Sequence, residues 1–413
     1  MKKKLHTELA LLCLFKGEKK CAKNFFKKGG IYNWAQKARF LRFQALFALV
    51  EGKLLKALEL AQKALESSKG DDLYQDIVHS LLTIITAYAG LGEIEKIKGL
   101  VKSLIKFIRK VRLKRWEIIM NILTGKKVCI NELSMLPTIR LAWLLRHRGY
   151  QCAYNYAHKN GIMFYFYRYL LFFPQIVQAL IKRGKFTTLP PGILKLPLFN
   201  RMTIVYRVNF LGRLIVYRNQ EYVRLRLKPK DLAFLIYLCQ KAMEPKRSID
   251  LNEVYNNFWP KSENASRNFS HLLVHVKKAL KIPSHLLMVS RSYGETSLIN
   301  EGIYFTTDYQ EFEQTLARAK ALQRTGEWGF AKKEFLQAFK LFRGEPFKKN
   351  FDEWSSNMRF KILTELETEA INFAKVCLEH GNKRDAKKVL EKVSKIIPDL
   401  EEIKNLSDSL IAE

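Results

Sequence analysis

The residues best suited to reading another molecule lie in one stretch, Asn264-Ala-Ser-Arg-Asn-Phe-Ser-His-Leu-Leu-Val-His-Val-Lys-Lys-Ala-Leu280. Phe269, Leu272, Leu273, Val276 and Leu280 recur at three- and four-residue steps, the period of an amphipathic helix. At roughly 100° per residue they share one side. Arg267, His271, Val274 and Lys278 then fall on the other, flanked by Ser270 and His275. Asn264 stands where a helix N-cap is expected. Guanidinium, imidazole and hydroxyl groups on one face can bond base edges or phosphates, and an outward valine can touch a thymine methyl. The same pattern also describes a surface helix with a solvated basic face. His271 and His275 have a spacing that can hold zinc, but a third ligand would need His285 to fold back, and no metal is expected.

Catalytic patterns are missing. Thr124-Gly-Lys-Lys127 is only a fragment of a phosphate-binding loop. There is no Gly-x-Ser-x-Gly elbow and no His-Glu-x-x-His helix. The expectation is a protein that binds rather than catalyses, with no cofactor.

Charge points to the partner. The 413 residues carry a net charge of +33, unevenly spread. Residues 1–184 hold 34 Lys and Arg against 12 Asp and Glu, and residues 307–413 hold 19 of each. A basic excess over the first two thirds favours a polyanion such as nucleic acid, and a neutral last third suits protein contact. Six scattered cysteines with no metal or redox spacing fit a reducing cytoplasm. Leu9–Phe15 is too short and too closely bracketed by Glu8 and Lys16 for an export signal. Ile162–Phe173 contains Arg168 and meets Pro174 before reaching the roughly twenty residues of a membrane span, so it reads as a buried helix.

The elements that must position the central stretch follow from periodicity. Residues 1–184 read as helical hairpins, Phe40–Val50 with Leu54–Leu65 and Ile77–Leu91 with Ile94–Arg109, recurring near 35–40 residues. Later hairpins are placed at Leu133–Arg148 and Cys152–Arg183. Lys96–Arg115 is densely basic over an apolar stripe, either a phosphate- or membrane-contacting helix or the wet face of a packed one. Prolines at 190, 191 and 197 make 185–203 a linker. Short strands are then expected at Val205–Leu211, Leu214–Tyr217 and Tyr222–Leu227, the last with Arg224 and Arg226 on one side. Helices follow at Lys230–Lys241, Asp250–Phe258 and 264–280, then strands at Leu286–Ser290 and Thr296–Asn300. From 307 the chain reads as helical: Phe312–Arg324, Trp328–Leu341, one or two helices in Asp352–Glu379, and Lys383–Ile397. The fold class is mainly α: a helical-repeat N-terminal domain (1–184), an α+β winged helix-turn-helix (204–306) and a tetratricopeptide-like helical domain (307–413).

Particular residues carry a resemblance. They are Phe210-Leu-Gly212, Trp259-Pro260, Arg267-Asn268 with Phe269, Leu273, Val276 and Leu280, then Asp308, Phe312, Ala331, Ala338-Phe339-Lys340-Leu341, Arg343-Gly344 and Trp354. In order and spacing, residues 205–305 resemble the OmpR-type winged helix, and 307–405 the bacterial transcriptional activator domain. The tandem resembles SARP-type activators. Two features depart from that pattern: the reader ends in His275-Val-Lys-Lys278 rather than an Arg-rich segment, and the wing offers Tyr293-Gly294.

The resemblance implies a cytoplasmic regulator of transcription, expected to activate, that binds double-stranded DNA and contacts RNA polymerase or a second protomer. Helix 250–258 would support helix 264–280 in the major groove, with the hairpin at 287–300 as the wing. Arg267 is the candidate for a guanine edge and Val274 for a thymine methyl. Ser270, His271 and His275 are candidates for bases or phosphates. Lys277, Lys278, Arg291, Arg224 and Arg226 are candidates for phosphates. The N-terminal array would sense a ligand or protein, and its charge could also lie along flanking DNA. No membrane partner is expected. The rival is a helical-repeat scaffold that binds RNA or an acidic protein, with the winged helix as a docking module.

Overall fold

The computed structural model describes residues 6, 9–10, 13, 19–29, 34–50, 52–68, 73–126, 128, 136–182, 204–219, 221–243, 247–292 and 295–398. They divide into two units, 1–203 with 320–330 and 204–319 with 331–413. The expected linker at 185–203 lies outside the described residues.

The first unit is helical throughout its described part: α1 (Lys19–Gly29), α2 (Trp34–Val50), α3 (Leu54–Ser67), α4 (Leu73–Leu91), α5 (Ile94–Lys110), α6 (Lys114–Thr124), α7 (Pro137–His147), α8 (Tyr150–Lys159), α9 (Met163–Leu170) and α10 (Pro174–Lys182). Ala57, Ala61 and Ala64 are fully buried, so α2, α3 and α4 can pack closely along small side chains. Gly92 turns the chain between α4 and α5 at φ 78°, where an L side chain is strained.

Two expectations are corrected here. The basic run Lys96–Arg115 is not one helix. It breaks at Arg112 (φ 57°), where the Leu113 amide donates to the Ile108 carbonyl at 3.0 Å. The break lets Trp116, Ile119 and Met120 of α6 be buried after Leu104 and Ile108 of α5. Likewise, the hairpin expected at Cys152–Arg183 is three short helices within residues 150–182, because Gly161 turns at φ 62° and Pro174 starts a new helix. No described helix is long and apolar enough to cross a membrane.

The second unit opens with β1 (Ile204–Asn209), β2 (Ile215–Arg218) and β3 (Glu221–Val223). Next come α11 (Pro229–Lys241), β4 (Arg247–Asp250), α12 (Leu251–Phe258), α13 (Ala265–Leu280), β5 (Met288–Ser292), β6 (Glu295–Asn300) and β7 (Ile303–Thr307). One sheet has the order β3-β2-β1-β7 and the other β4-β6-β5. The expected succession β-β-β-α-α-α-β-β therefore lacks two strands. β7 runs parallel to β1, with Ile204 opposite Ile303 and Tyr206 opposite Phe305. All five of its residues are buried, so it has no alternation to reveal it. β4 pairs with β6 from Arg247–Asn300 to Asp250–Ser297.

A further correction concerns Tyr222–Leu227. Only Glu221–Val223 pairs as strand, so Arg224 and Arg226 stand on the unpaired segment leading to α11. The chain closes with α14 (Asp308–Arg324), α15 (Trp328–Lys340), α16 (Glu353–Glu379) and α17 (Lys383–Ser394), all of the second unit except residues 320–330. Asp352–Glu379 is one helix rather than two, capped by the Asp352 side chain, which accepts from the Ser355 amide at 2.9 Å.

Candidate nucleic-acid interface

Helix α13 is held by its apolar face. Phe269, Leu272, Leu273, Val276 and Leu280 are all buried. Phe269 meets Phe234 of α11 edge-on at 5.6 Å and Tyr255 of α12 at 6.0 Å. The helix starts at Asn264 as expected, but the Asn264 side chain makes no capping bond. Asn268 fastens that end instead: its amide Nδ2 donates to Ser262 Oγ at 3.3 Å.

The other end is also pinned. The buried Tyr206 hydroxyl of β1 donates to the Leu280 carbonyl at 2.5 Å, and burial pushes its pKa up to about 12. Lys281 turns the chain out at φ 54°, and the Ile282 amide returns to the Lys277 carbonyl at 2.8 Å. Between α12 and α13, Lys230 Nζ lies 5.0 Å from the centre of the Trp259 ring and donates to the Phe258 carbonyl at 2.9 Å. Neither Tyr206 nor Lys230 carries a local sequence signal of these roles, since their partners are 74 and 28 residues away.

The outward face holds Arg267, Ser270, His271, Val274, His275 and Lys278, all exposed. Val274 is 62% exposed in the middle of that polar row. Among the described residues, the side chains of Arg267, His271, His275 and Lys278 make no hydrogen bond or ion pair. Their donors remain available to a ligand. Ser270 is turned inward along the helix, its hydroxyl donating to the Ser266 carbonyl at 2.9 Å.

The remaining candidates are distributed differently. Lys277 Nζ donates to the Ser284 and Leu287 carbonyls at 2.8 and 3.2 Å, and burial draws its pKa below the ordinary lysine value. Its ammonium therefore staples the segment after α13. Arg291 is exposed on β5, opposite Thr296 of β6, in the hairpin that follows α13. Tyr293-Gly294 lies outside the described residues. Arg224 and Arg226 are exposed, and no hydrogen bond joins either to α13 among the described residues. Met288 and Val289 were not singled out from the sequence, yet they are 49% and 42% exposed on β5. They add apolar surface to the hairpin.

The support for this face extends into the helical module. Asp308, 2% exposed, accepts from the Phe210 amide at 2.8 Å, the Leu211 amide at 3.0 Å and Arg343 Nη2 at 2.9 Å. Burial raises its pKa, and the two amides and the guanidinium oppose that rise. The Arg343 amide in turn donates to the Leu211 carbonyl at 2.8 Å. Gly212, at φ 114°, passes so close to this turn that an added Cβ would sit 2.7 Å from the Gly344 nitrogen. Trp354 of α16 packs on Phe258 and Tyr237 with ring centres 5.6 and 5.7 Å away. Thus Phe210-Leu-Gly212, Asp308, Arg343-Gly344 and Trp354 form one junction, with the aromatic packing continuing through Phe258 and Phe234 to Phe269.

No protein-family model matches the chain, and no curated protein matches it. Among solved structures, Mycobacterium tuberculosis EmbR in complex with a low affinity phosphopeptide aligns at 12% identity with a TM-score of 0.32. The alignment covers 51% of this chain and 65% of EmbR, under two thirds of the latter's length.

Proposed function

We propose that the protein is a sequence-reading, double-stranded DNA-binding regulator of transcription, with α13 as the helix that enters the major groove. The observation that carries this reading is the division of α13. Its apolar face is buried on α11 and α12, while Arg267, His271, Val274, His275 and Lys278 stand exposed together. A support helix, a second helix presenting polar side chains, and a β-hairpin after it are the parts a winged helix uses on DNA. The likeness of the motif residues to SARP-type activators supports the same reading and extends it to activation and to contact with RNA polymerase or a second protomer.

In this reading Arg267, near the N-terminus of α13, reads a guanine edge, and Val274 meets a thymine methyl. His271, His275 and Ser270 bond bases or phosphates. Lys278, Arg291, Arg224 and Arg226 take phosphates. Lys277 acts on DNA only through the segment it staples. The N-terminal array serves as a sensor or interaction module. Its exposed Lys98, Lys102 and Lys106 offer a second phosphate-contacting face, because they succeed one another every four residues along one side of α5.

Selection from a random duplex pool tests the proposal. The full chain should enrich one sequence, and the Arg267→Ala, His271→Ala double variant should enrich none while keeping its thermal unfolding temperature. A pool that stays random with the wild-type chain overturns it.

A further inference from the structure

The first unit buries a positive charge that no carboxylate balances among the described residues. Arg168 on α9 is 3% exposed. Its Nη2 donates to the His79 carbonyl at 3.2 Å and to Thr83 Oγ1 at 3.4 Å, both on α4. Its Nη1 is buried and has no hydrogen-bond partner among the described residues. The acid on that face of α4, Asp76, pairs instead with Arg42 of α2. Arg115 of α6 adds a third guanidinium, its Nη2 donating to Thr138 Oγ1 at 3.1 Å. His79 is held well below its usual pKa, first by burial and then by the charges of Arg42, Arg168 and Arg115. It therefore offers no compensating negative charge and no further cation.

The two helices that Arg168 joins carry further buried polar atoms. Ser80 Oγ, Tyr169 OH and His79 Nδ1 are buried polar atoms that also lack partners among the described residues. Two of the three are hydroxyls able to donate, and both lie beside Arg168 in sequence or on the helix it bonds to. Burial draws the Arg168 pKa down to about 10, which leaves the guanidinium charged at neutral pH. A charged group removed from water costs several kcal/mol unless an opposite charge meets it. A guanidinium fork matches the paired oxygens of a carboxylate or phosphate. We infer that Arg168, with Ser80, Tyr169 and His79, binds a small oxyanion between α4 and α9, a carboxylate or phosphate group carried by an effector of the N-terminal array.

The test needs no DNA, so its failure leaves the reading of α13 untouched. Thermal unfolding of the full chain is followed in rising inorganic phosphate or rising acetate, at ionic strength held constant with chloride. At least one arm should raise the unfolding temperature in a saturating manner, as ligand binding to the native state requires. Arg168→Met should abolish the saturating rise. In chloride alone it should unfold no lower than wild type, because it no longer buries an unbalanced charge. Ser80→Ala should weaken the rise several-fold without removing it. The inference is overturned if neither arm exceeds the chloride control, or if Arg168→Met responds like wild type. It is equally overturned if Arg168→Met fails to fold or loses stability in chloride, which would make the guanidinium a structural strut.

Discussion

Helices α13 and α5 share one design and differ in what they present to solvent. Both bury an apolar stripe and turn cations outward. On α5 the outward cations are partly matched, Lys98 with Glu95 at 2.8 Å and Arg109 with Glu117 of α6 at 2.9 Å. Among its described side chains, no exposed large apolar one interrupts the basic row. On α13 the cations have no acidic partner among the described residues, and Val274 stands exposed between His271 and His275. A row of lysines can meet any polyanion. A fork-shaped arginine, two imidazoles and an apolar contact at fixed spacing can discriminate. Supports differ as well. Neither helix begins with a side-chain cap, but the ends of α13 are pinned by Asn268 and Tyr206.

This contrast can be broken or sharpened experimentally. The largest effect is expected from Arg267→Ala combined with His271→Ala, which should remove about 3 kcal/mol of preference for the selected duplex over a scrambled one. Lys102→Ala with Lys106→Ala should leave that preference intact. Competition binding at one salt concentration measures both, and equal losses would erase the distinction between the two helices. Next is Asp308→Ala, which leaves two buried amides without their acceptor. It should destabilise the second unit by about 2 kcal/mol in urea unfolding and weaken site binding without altering base preference. A smaller effect is expected at Val274. Replacing thymine by uracil in the selected site should weaken wild-type binding by about 1 kcal/mol and leave Val274→Ala indifferent. The smallest effect belongs to α5. Lys102→Gln should lower the slope of log affinity against log salt by about 0.9 if that lysine meets a phosphate, and an unchanged slope would assign it to solvent.

Sequence pattern carried far where contacts are local. The phase of Phe269, Leu272, Val276 and Leu280 placed α13 within one residue of its observed start and located its exposed face. The hairpins α2–α3 and α4–α5 were equally legible, because short joints at Gly52 and Gly92 separate apolar periods. Legibility failed where neighbours are distant in the chain. β7 has no alternation because both of its faces are covered. Lys277 and Lys278 are adjacent and identical in type, yet one turns back to the Ser284 and Leu287 carbonyls and the other stays in solvent. A one-position rotation of about 100° on the helix separates them, and only the path of the chain after Leu280 gives it meaning.

The sequence by itself determined the helical character, the reversal points and which face of α13 is apolar, since these depend on residue types within a few turns of one another. Tertiary structure decided what the outward residues have to offer. It brought Asp308 to the Phe210 and Leu211 amides across 98 and 97 residues, and Gly212 to Gly344, fixing the platform that holds α13. It also buried Arg168 against His79 across 89 residues without giving it a carboxylate among the described residues. The physical reason is common to both cases. A buried polar group takes its meaning from the partners within hydrogen-bond reach, and folding, not sequence spacing, selects those partners.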